Sequence, residues 1–332
     1  MATPSNLLVK LSRRLFDTPG EQTAFLEALT RPACLSPALV WMAPRPEAMP
    51  FNREEPLPWQ PTWVDRLSPG QRPGQHSLHG EGAYYCLDLA SVFTSTVLTA
   101  LESPVQLILD LCAAPGGKSL LARQMLQPQH LWCNEAVGKR VKILIANLKR
   151  CGVTEARVFN LNPEIWAAQA AHALPLVIVD APCSGQSLLA KGTRVEGCFH
   201  PVTIRKNAQR QRRILAQATQ LIAADGYLAY MTCTFSPEEN EAIGSWLLKT
   251  FPQFEAVAVP ALEAYTSTLA DFPCYRLWPQ TGWGAGGFTA LFRNRGQAQG
   301  GVGPEFLNRQ GMRIYDSGLS SGDKLKPAPR DR

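Results

Sequence analysis

Two cysteines in the second half of the chain stand where thiols can do chemistry. "LVIVDAPCSGQS" (176–187) is an apolar run ending in Asp180, with Cys183 on the loop that follows. "LAYMTCTFSPEENEA" (228–242) repeats the arrangement, with Cys233 beside Thr232 at the end of a second apolar run. If the two runs are neighbouring parallel strands, both thiols face one crevice. Two thiols and an acid there suit covalent catalysis on a pyrimidine. C5 of cytosine is a poor nucleophile, but a thiolate added to C6 makes the ring an enamine whose C5 can attack an activated methyl group. A second thiol can then help to remove the C5 proton and expel the first. Asp180 can hold the N3/N4 edge of the base as electrons move into the ring. A thiol is mostly protonated at neutral pH, so the nucleophile needs surroundings that favour the thiolate.

The chain has nine cysteines, and burial as small apolar groups is the ordinary fate of a free thiol. That role is expected for Cys34, Cys86, Cys133, Cys151, Cys198 and Cys274. Cys183 and Cys233 stand apart because both follow strand ends, next to Pro182 and Thr232. The odd count, the lack of any CxxC pair and five scattered histidines argue against a disulfide framework and against a metal site.

A methyl donor needs a seat, and "LILDLCAAPGGKSLLA" (107–122) offers one. Its Gly-Lys-Ser looks like half of a phosphate-binding loop, which needs another glycine five positions before Gly117. Cys112 stands there instead, and Ala113, Ala114 and Pro115 are too stiff to curl around phosphates. What remains is a tight turn from Cys112 through Ala113, Ala114, Pro115, Gly116 and Gly117 to Lys118. Its glycines would admit a ligand close to the backbone, and the helix start behind it favours an anionic group. Glu135, eighteen residues beyond Gly117 at the end of the next apolar run, can accept hydrogen bonds from two ribose hydroxyls. A ligand with a ribose and a carboxylate but no phosphate chain suggests S-adenosylmethionine.

The elements that must position these loops are legible from about Tyr84 onward. Apolar runs at 105–112, 130–135, 156–161, 174–181, 226–233 and 286–293 read as strands. They alternate with helical patterns at 118–126, 138–152, 163–172, 203–224 and 237–250. Such alternation predicts an α/β fold with a parallel sheet covered by helices on both faces. QLILD and LVIVD are apolar throughout, as strands buried on both faces should be. Ligands of such sheets bind beyond the carboxyl ends of the strands, so the loops after Asp110, Cys133, Leu161, Asp180 and Met231 carry the function. Ten of the 27 prolines fall between Pro32 and Pro73, together with Trp41, Trp59 and Trp63. That composition predicts a small-sheet or irregular region, preceded by two short helices in NLLVKLSRRLF and EQTAFLEAL. Three parts are expected: an N-terminal α+β region over 1–80, a catalytic domain over 81–295, and a flexible tail over 296–332.

At 45% hydrophobic and 18% charged residues the 332-residue chain is of ordinary globular composition. No apolar run is long enough to span a bilayer, and the N-terminus lacks the pattern of a secretory signal, so a cytoplasmic monomer with no membrane partner is expected. The net charge of +6 permits a polyanionic partner. Basic residues cluster at Arg205, Lys206, Arg210, Arg212 and Arg213, and again at Lys139, Arg140, Lys142, Lys149 and Arg150. Solvated helix faces account for such runs as readily as a phosphate-tracking surface does.

Taken in order, LDLCAAPGGKS, VDAPCSGQS and YMTCTFSPEENE resemble the Nop/Sun family of RNA (cytosine-5) methyltransferases, of the bacterial rRNA type. The similarity runs from about Gly82 to Arg295 and includes "GAYYCLDLASV" and "RLWPQTGWGAGGFTALF". It implies a Rossmann-like S-adenosyl-L-methionine-dependent methyltransferase sheet. By position, Cys233 matches the nucleophile, Cys183 the thiol that assists product release, and Cys112 to Lys118 the cofactor turn. Glu135 matches the ribose acid, and Asp180 a residue shared by the cofactor and base pockets. DNA cytosine methyltransferases place their nucleophile in the Pro-Cys loop and would leave Cys233 unexplained. Two departures stand out: Asn162 falls where the family usually has an Asp at the adenine edge, and Lys191 and Arg194 replace arginines after the Pro-Cys loop.

The resemblance also implies an RNA partner, rRNA first and tRNA as the alternative, with no metal. Unstacking a cytosine favours single-stranded or loop RNA, whose backbone the basic stretches could hold. The region before Gly82 would be a reduced RNA-recognition fold. A non-catalytic RNA-binding assembly factor is the competing reading, and the intact thiol pair with Asp180 argues against it.

Overall fold

The computed structural model describes residues 4–32, 34–308 and 315–316. The chain opens with α1 (Asn6–Leu15) and α2 (Pro19–Thr30). Ser5 Oγ accepts the Leu8 N–H, and Thr18 Oγ1 accepts the Glu21 N–H with Pro19 in the first turn, so both helices begin on side-chain caps. Leu8, Leu11 and Leu15 recur at helical spacing and are buried, as are Phe25 and Leu29 of α2. Their cover is Phe235 and Trp278, far along the chain: Phe16 lies 4.7 Å from Trp278 and Phe25 5.1 Å from Phe235, centroid to centroid.

Strands β1 (Pro37–Trp41) and β2 (Val64–Arg66) follow, then α3 (Ser77–Gly80) and β3 (Tyr84–Asp88). They form a three-stranded antiparallel sheet in the order β2-β1-β3, with Val40 opposite Val64 and Trp41 opposite Tyr84. Leu39, Trp41, Leu67 and Tyr84 fill its core. The small sheet takes in β3, past the expected boundary at residue 80, and the first two helices pack against Phe235 and Trp278 rather than on that sheet.

The rest of the chain runs α4 (Leu89–Ser95), β4 (Leu107–Asp110), α5 (Gly117–Leu126), β5 (His130–Asn134), α6 (Gly138–Arg150), β6 (Ala156–Phe159), α7 (Pro163–Gln169) and β7 (Leu174–Asp180). It continues with α8 (Pro201–Leu221), β8 (Ile222–Thr232), α9 (Glu241–Thr250), β9 (Phe254–Ala256), β10 (Tyr275–Leu277), β11 (Gly287–Asn294), α10 (Pro304–Asn308) and β12 (Tyr315–Asp316). The strand order is β10-β11-β8-β7-β4-β5-β6-β12, with β9 paired to β11. Strands β4 to β8 are parallel to one another, and β11 and β12 are antiparallel to β8 and β6. Alternate residues face two separate cores: Ile108, Leu131, Val158 and Ile178 on one side, and Leu109, Trp132, Phe159 and Val177 on the other. This is the Rossmann-like sheet expected, and its strand order reverses between β4 and β7.

The expected tail is folded as far as it is described. Gly300 N–H donates to the His172 carbonyl, Phe306 is buried 5.2 Å from the Trp166 ring, and β12 pairs with β6. A single aromatic in a Gly-rich stretch was too weak a pattern to read. Residues 309–314 and 317–332 of that tail lie outside the described residues.

Candidate active site

The reversal of strand order places the carboxyl ends of β4, β7 and β8 side by side, at Asp110, Asp180 and Thr232. Beyond β7 and β8 the two thiols meet: Cys183 Sγ is 3.0 Å from Cys233 Sγ. The loops carrying them are stitched together. Ser184 Oγ and Thr234 Oγ1 lie 2.7 Å apart, Ser187 N–H donates to the Cys233 carbonyl, and Phe235 N–H donates to Gln186 Oε1 at 2.9 Å. Below them sits Glu239, whose Oε2 accepts the Ser184 N–H at 2.9 Å and Gln211 Nε2 at 3.0 Å. Gln211 also donates to the Pro182 carbonyl, tying α8 to the same loop.

Electrostatics divides the two sulfurs. The hydrogen bond from Cys183 lowers the Cys233 pKa below the ordinary thiol value, and the Lys118 and Lys191 ammonium groups act in the same direction against burial and Asp180. The same contact, with burial, pushes Cys183 well up. Of the two sulfurs, Cys233 is the more readily ionised. A small cavity of about 40 Å³ opens beside Cys233, lined also by Asp88, Lys118, Lys191 and Thr232.

Lys118, the last residue of the expected cofactor turn, places its Nζ 2.6 Å from Asp180 Oδ2. Burial disfavours its charge, but the Asp180 carboxylate more than compensates and its pKa is raised. Lys191 reaches the same cavity and pairs with Asp88 Oδ2 at 3.0 Å, whereas Arg194 is exposed outside that cavity.

The cofactor turn is held from beneath. Buried Asp110 accepts the Cys112 N–H at 3.3 Å and the Ser119 hydroxyl at 2.5 Å, and burial raises its pKa to about 7. Ala113 N–H donates to the Asn134 carbonyl, and Arg140 donates to the Ala114 carbonyl. Gly116, at φ +111°, adopts a conformation that favours glycine. Gly117 also serves packing: a Cβ there would stand 2.6 Å from Leu87 of β3. Cys112 is half-buried, with its pKa pushed well up by burial and nearby carboxylates.

Glu135 Oε1 accepts the Val137 N–H at 2.8 Å, while Oε2, 3.1 Å from Arg140, takes no hydrogen bond. An acceptor left over on a buried carboxylate beside this turn fits a ribose hydroxyl. Asn162 is exposed at the start of α7 and makes no capping hydrogen bond. Asn160, two residues earlier and not singled out from the sequence, bridges to the Glu135 carbonyl at 2.6 Å. The basic runs also resolve. Arg150 donates to the His79 and Tyr84 carbonyls, and Arg212 lies over the Trp246 ring, while Arg205, Lys206, Arg210 and Arg213 are exposed. Among the described residues no group of three or more His, Cys, Asp or Glu could hold a metal ion, and no helix is long and apolar enough to cross a membrane.

Comparison with solved structures finds the same fold in a methyltransferase homologue from Pyrococcus horikoshii, with a TM-score of 0.67 and 21% identity over 87% of this chain and 99% of that one. NSun6 from Pyrococcus horikoshii, solved with SFG, gives 0.69 and 17% over 88% and 99%. Among curated relatives, the ribosomal RNA small subunit methyltransferase F of Escherichia coli O139:H28 is 30% identical over 201 residues, or 59% of this chain and 42% of the relative. The Shigella boydii serotype 18 protein of the same name matches equally. This chain thus spans less than half the length of those relatives. The family model described as 16S rRNA methyltransferase RsmB/F matches residues 97–293, more than half of the 332 residues, and the protein belongs to that family.

Proposed function

We propose that this protein is an S-adenosylmethionine-dependent RNA cytosine-C5 methyltransferase that works through a covalent protein–RNA adduct. The observation that carries the reading is the sulfur pair, 3.0 Å apart with opposed acidities. Cys233, the thiolate, adds to C6 and makes C5 nucleophilic. Asp180, paired to Lys118, would hold the amidine edge of the base. The turn from Cys112 to Gly117 and the spare acceptor of Glu135 would hold the cofactor, whose sulfonium supplies an electrophilic methyl group. The first cause of the raised Cys183 pKa is its contact with the Cys233 sulfur, which is relieved once that sulfur is bonded to C6. Cys183 can then release its proton to solvent and accept the C5 proton as the Cys233–C6 bond breaks and Cys233 leaves as the thiolate.

Ribosomal RNA is the proposed substrate, since the matched curated relatives are named for the small-subunit RNA. The test is to incubate the full chain with labelled methyl donor and total RNA, then map 5-methylcytosine. Label in rRNA is expected; label in tRNA alone, or none, overturns the substrate. Cys183→Ala should accumulate an adduct that migrates slowly in denaturing gels, and Cys233→Ala should form none. Adduct persisting in Cys233→Ala would reassign the nucleophile.

A further inference from the structure

The Cys183–Cys233 contact is 3.0 Å, and a disulfide needs about 2.05 Å, so closing it takes a displacement of about 1 Å. The loops are already aligned for it by the Ser184–Thr234 hydroxyl contact and the Ser187 N–H on the Cys233 carbonyl. Both thiols are half-buried rather than sealed from solvent. The cavity beside Cys233, about 40 Å³, has room for a peroxide-sized molecule on a scale where a water needs ~10–15 Å³. We propose that Cys183 and Cys233 form a reversible disulfide on reaction with a hydroperoxide, a modification that silences the site.

The step balances. The Cys233 thiolate attacks one peroxide oxygen; the O–O bond breaks, and the departing oxyanion takes a proton and leaves as water or an alcohol. Cys233 is then a sulfenic acid. The Cys183 sulfur attacks the Cys233 sulfur as its S–H proton departs, the S–S bond forms, and the S–O bond breaks, hydroxide taking that proton to leave as water. Two thiols are oxidised by two electrons and one hydroperoxide is reduced. A resolving thiol already in contact favours this exit over further oxidation of Cys233 to the sulfinic acid.

The other thiols lack this arrangement. Cys133, Cys151, Cys198 and Cys274 are buried, and burial raises each of them, Cys198 to about 11. Cys86 is likewise pushed up to about 11. Cys233 alone among the described thiols is lowered while in contact with a second sulfur.

Peptide mapping tests this without RNA, so its failure is distinct from failure of the methyltransferase reading. The full chain is treated with hydrogen peroxide, remaining thiols are alkylated, and the protein is digested with trypsin. Cys183 lies in the peptide 158–191 and Cys233 in 214–249, neither of which holds another cysteine. The expected result is a linked 158–191/214–249 pair that dithiothreitol splits. In Cys183→Ser the linked pair should vanish and Cys233 should advance to the sulfinic acid. The proposal is overturned by sulfinic Cys233 in the unaltered chain with no linked pair, by linkage to a different cysteine, or by both thiols remaining free to alkylate.

Discussion

Ser184 Oγ and Thr234 Oγ1 lie 2.7 Å apart, each one residue past a thiol, and both side chains are buried. This hydroxyl contact sets the spacing of the two reactive loops. Thr234→Val leaves Ser184 short of a partner, and an unsatisfied buried hydroxyl costs about 1–3 kcal/mol. Urea unfolding should show that loss, and adduct formation should slow. The double variant with Ser184→Ala should lose less than the sum of the singles, because each change removes the same contact.

The Lys118 ammonium acts to lower the Cys233 pKa. Removing its charge in Lys118→Met raises the thiol pKa, so the pH profile of adduct formation moves to higher pH. On the acid limb of that profile, a displacement of one pH unit lowers the thiolate present about tenfold. Lys118→Arg should largely hold the profile in place. A profile unmoved in Lys118→Met would remove the lysine from this role.

Asp110 titrates at about 7 in the folded protein against 3.8 as a free side chain. The folded state therefore binds the proton more tightly than the unfolded chain does. Its contribution is fully present below pH ~4 and is lost as pH rises through ~7. Asp110→Asn removes this dependence, so the gap between variant and unaltered protein in urea unfolding should change steadily over that window, in the variant's favour as pH rises.

Glu239 answers two donors, the Ser184 N–H and Gln211 Nε2. Glu239→Ala strands both inside the protein, at roughly 1–3 kcal/mol for each unsatisfied group. Glu239→Gln keeps a carbonyl acceptor and should retain most of the stability. Thermal unfolding of the two variants separates hydrogen bonding from charge.

Much of this was legible beforehand. The strands of the parallel sheet and the helices between them follow from apolar runs and helical spacing, and the two cysteines stand out by their strand ends. The turn at Cys112–Gly117 was readable as unfit for phosphates. Contacts that depend on long-range placement were not. Nothing local to Lys118 says that it reaches 62 positions along to Asp180. That Gly117 is also required by the packing of β3 against it depends on residues thirty positions earlier in the chain. Asn160 and Asn162 are equivalent in sequence, and the loop path alone separates the bridge from the exposed residue. Arg140 and Arg150 read as phosphate-binding charge because a sequence does not reveal which carbonyls a guanidinium meets.

Phe16 and Phe25 lean on Trp278 and Phe235, and Phe235 lies two positions beyond Cys233, the proposed nucleophile. Helices α1 and α2 are therefore a latch on that loop. An aromatic ring buries about 150–250 Å², so unlatching bares a greasy surface next to Cys233 and frees the backbone that aims it. Whatever pries those first helices loose, whether heat, a protease or a competing surface, dims the chemistry before the central sheet gives way.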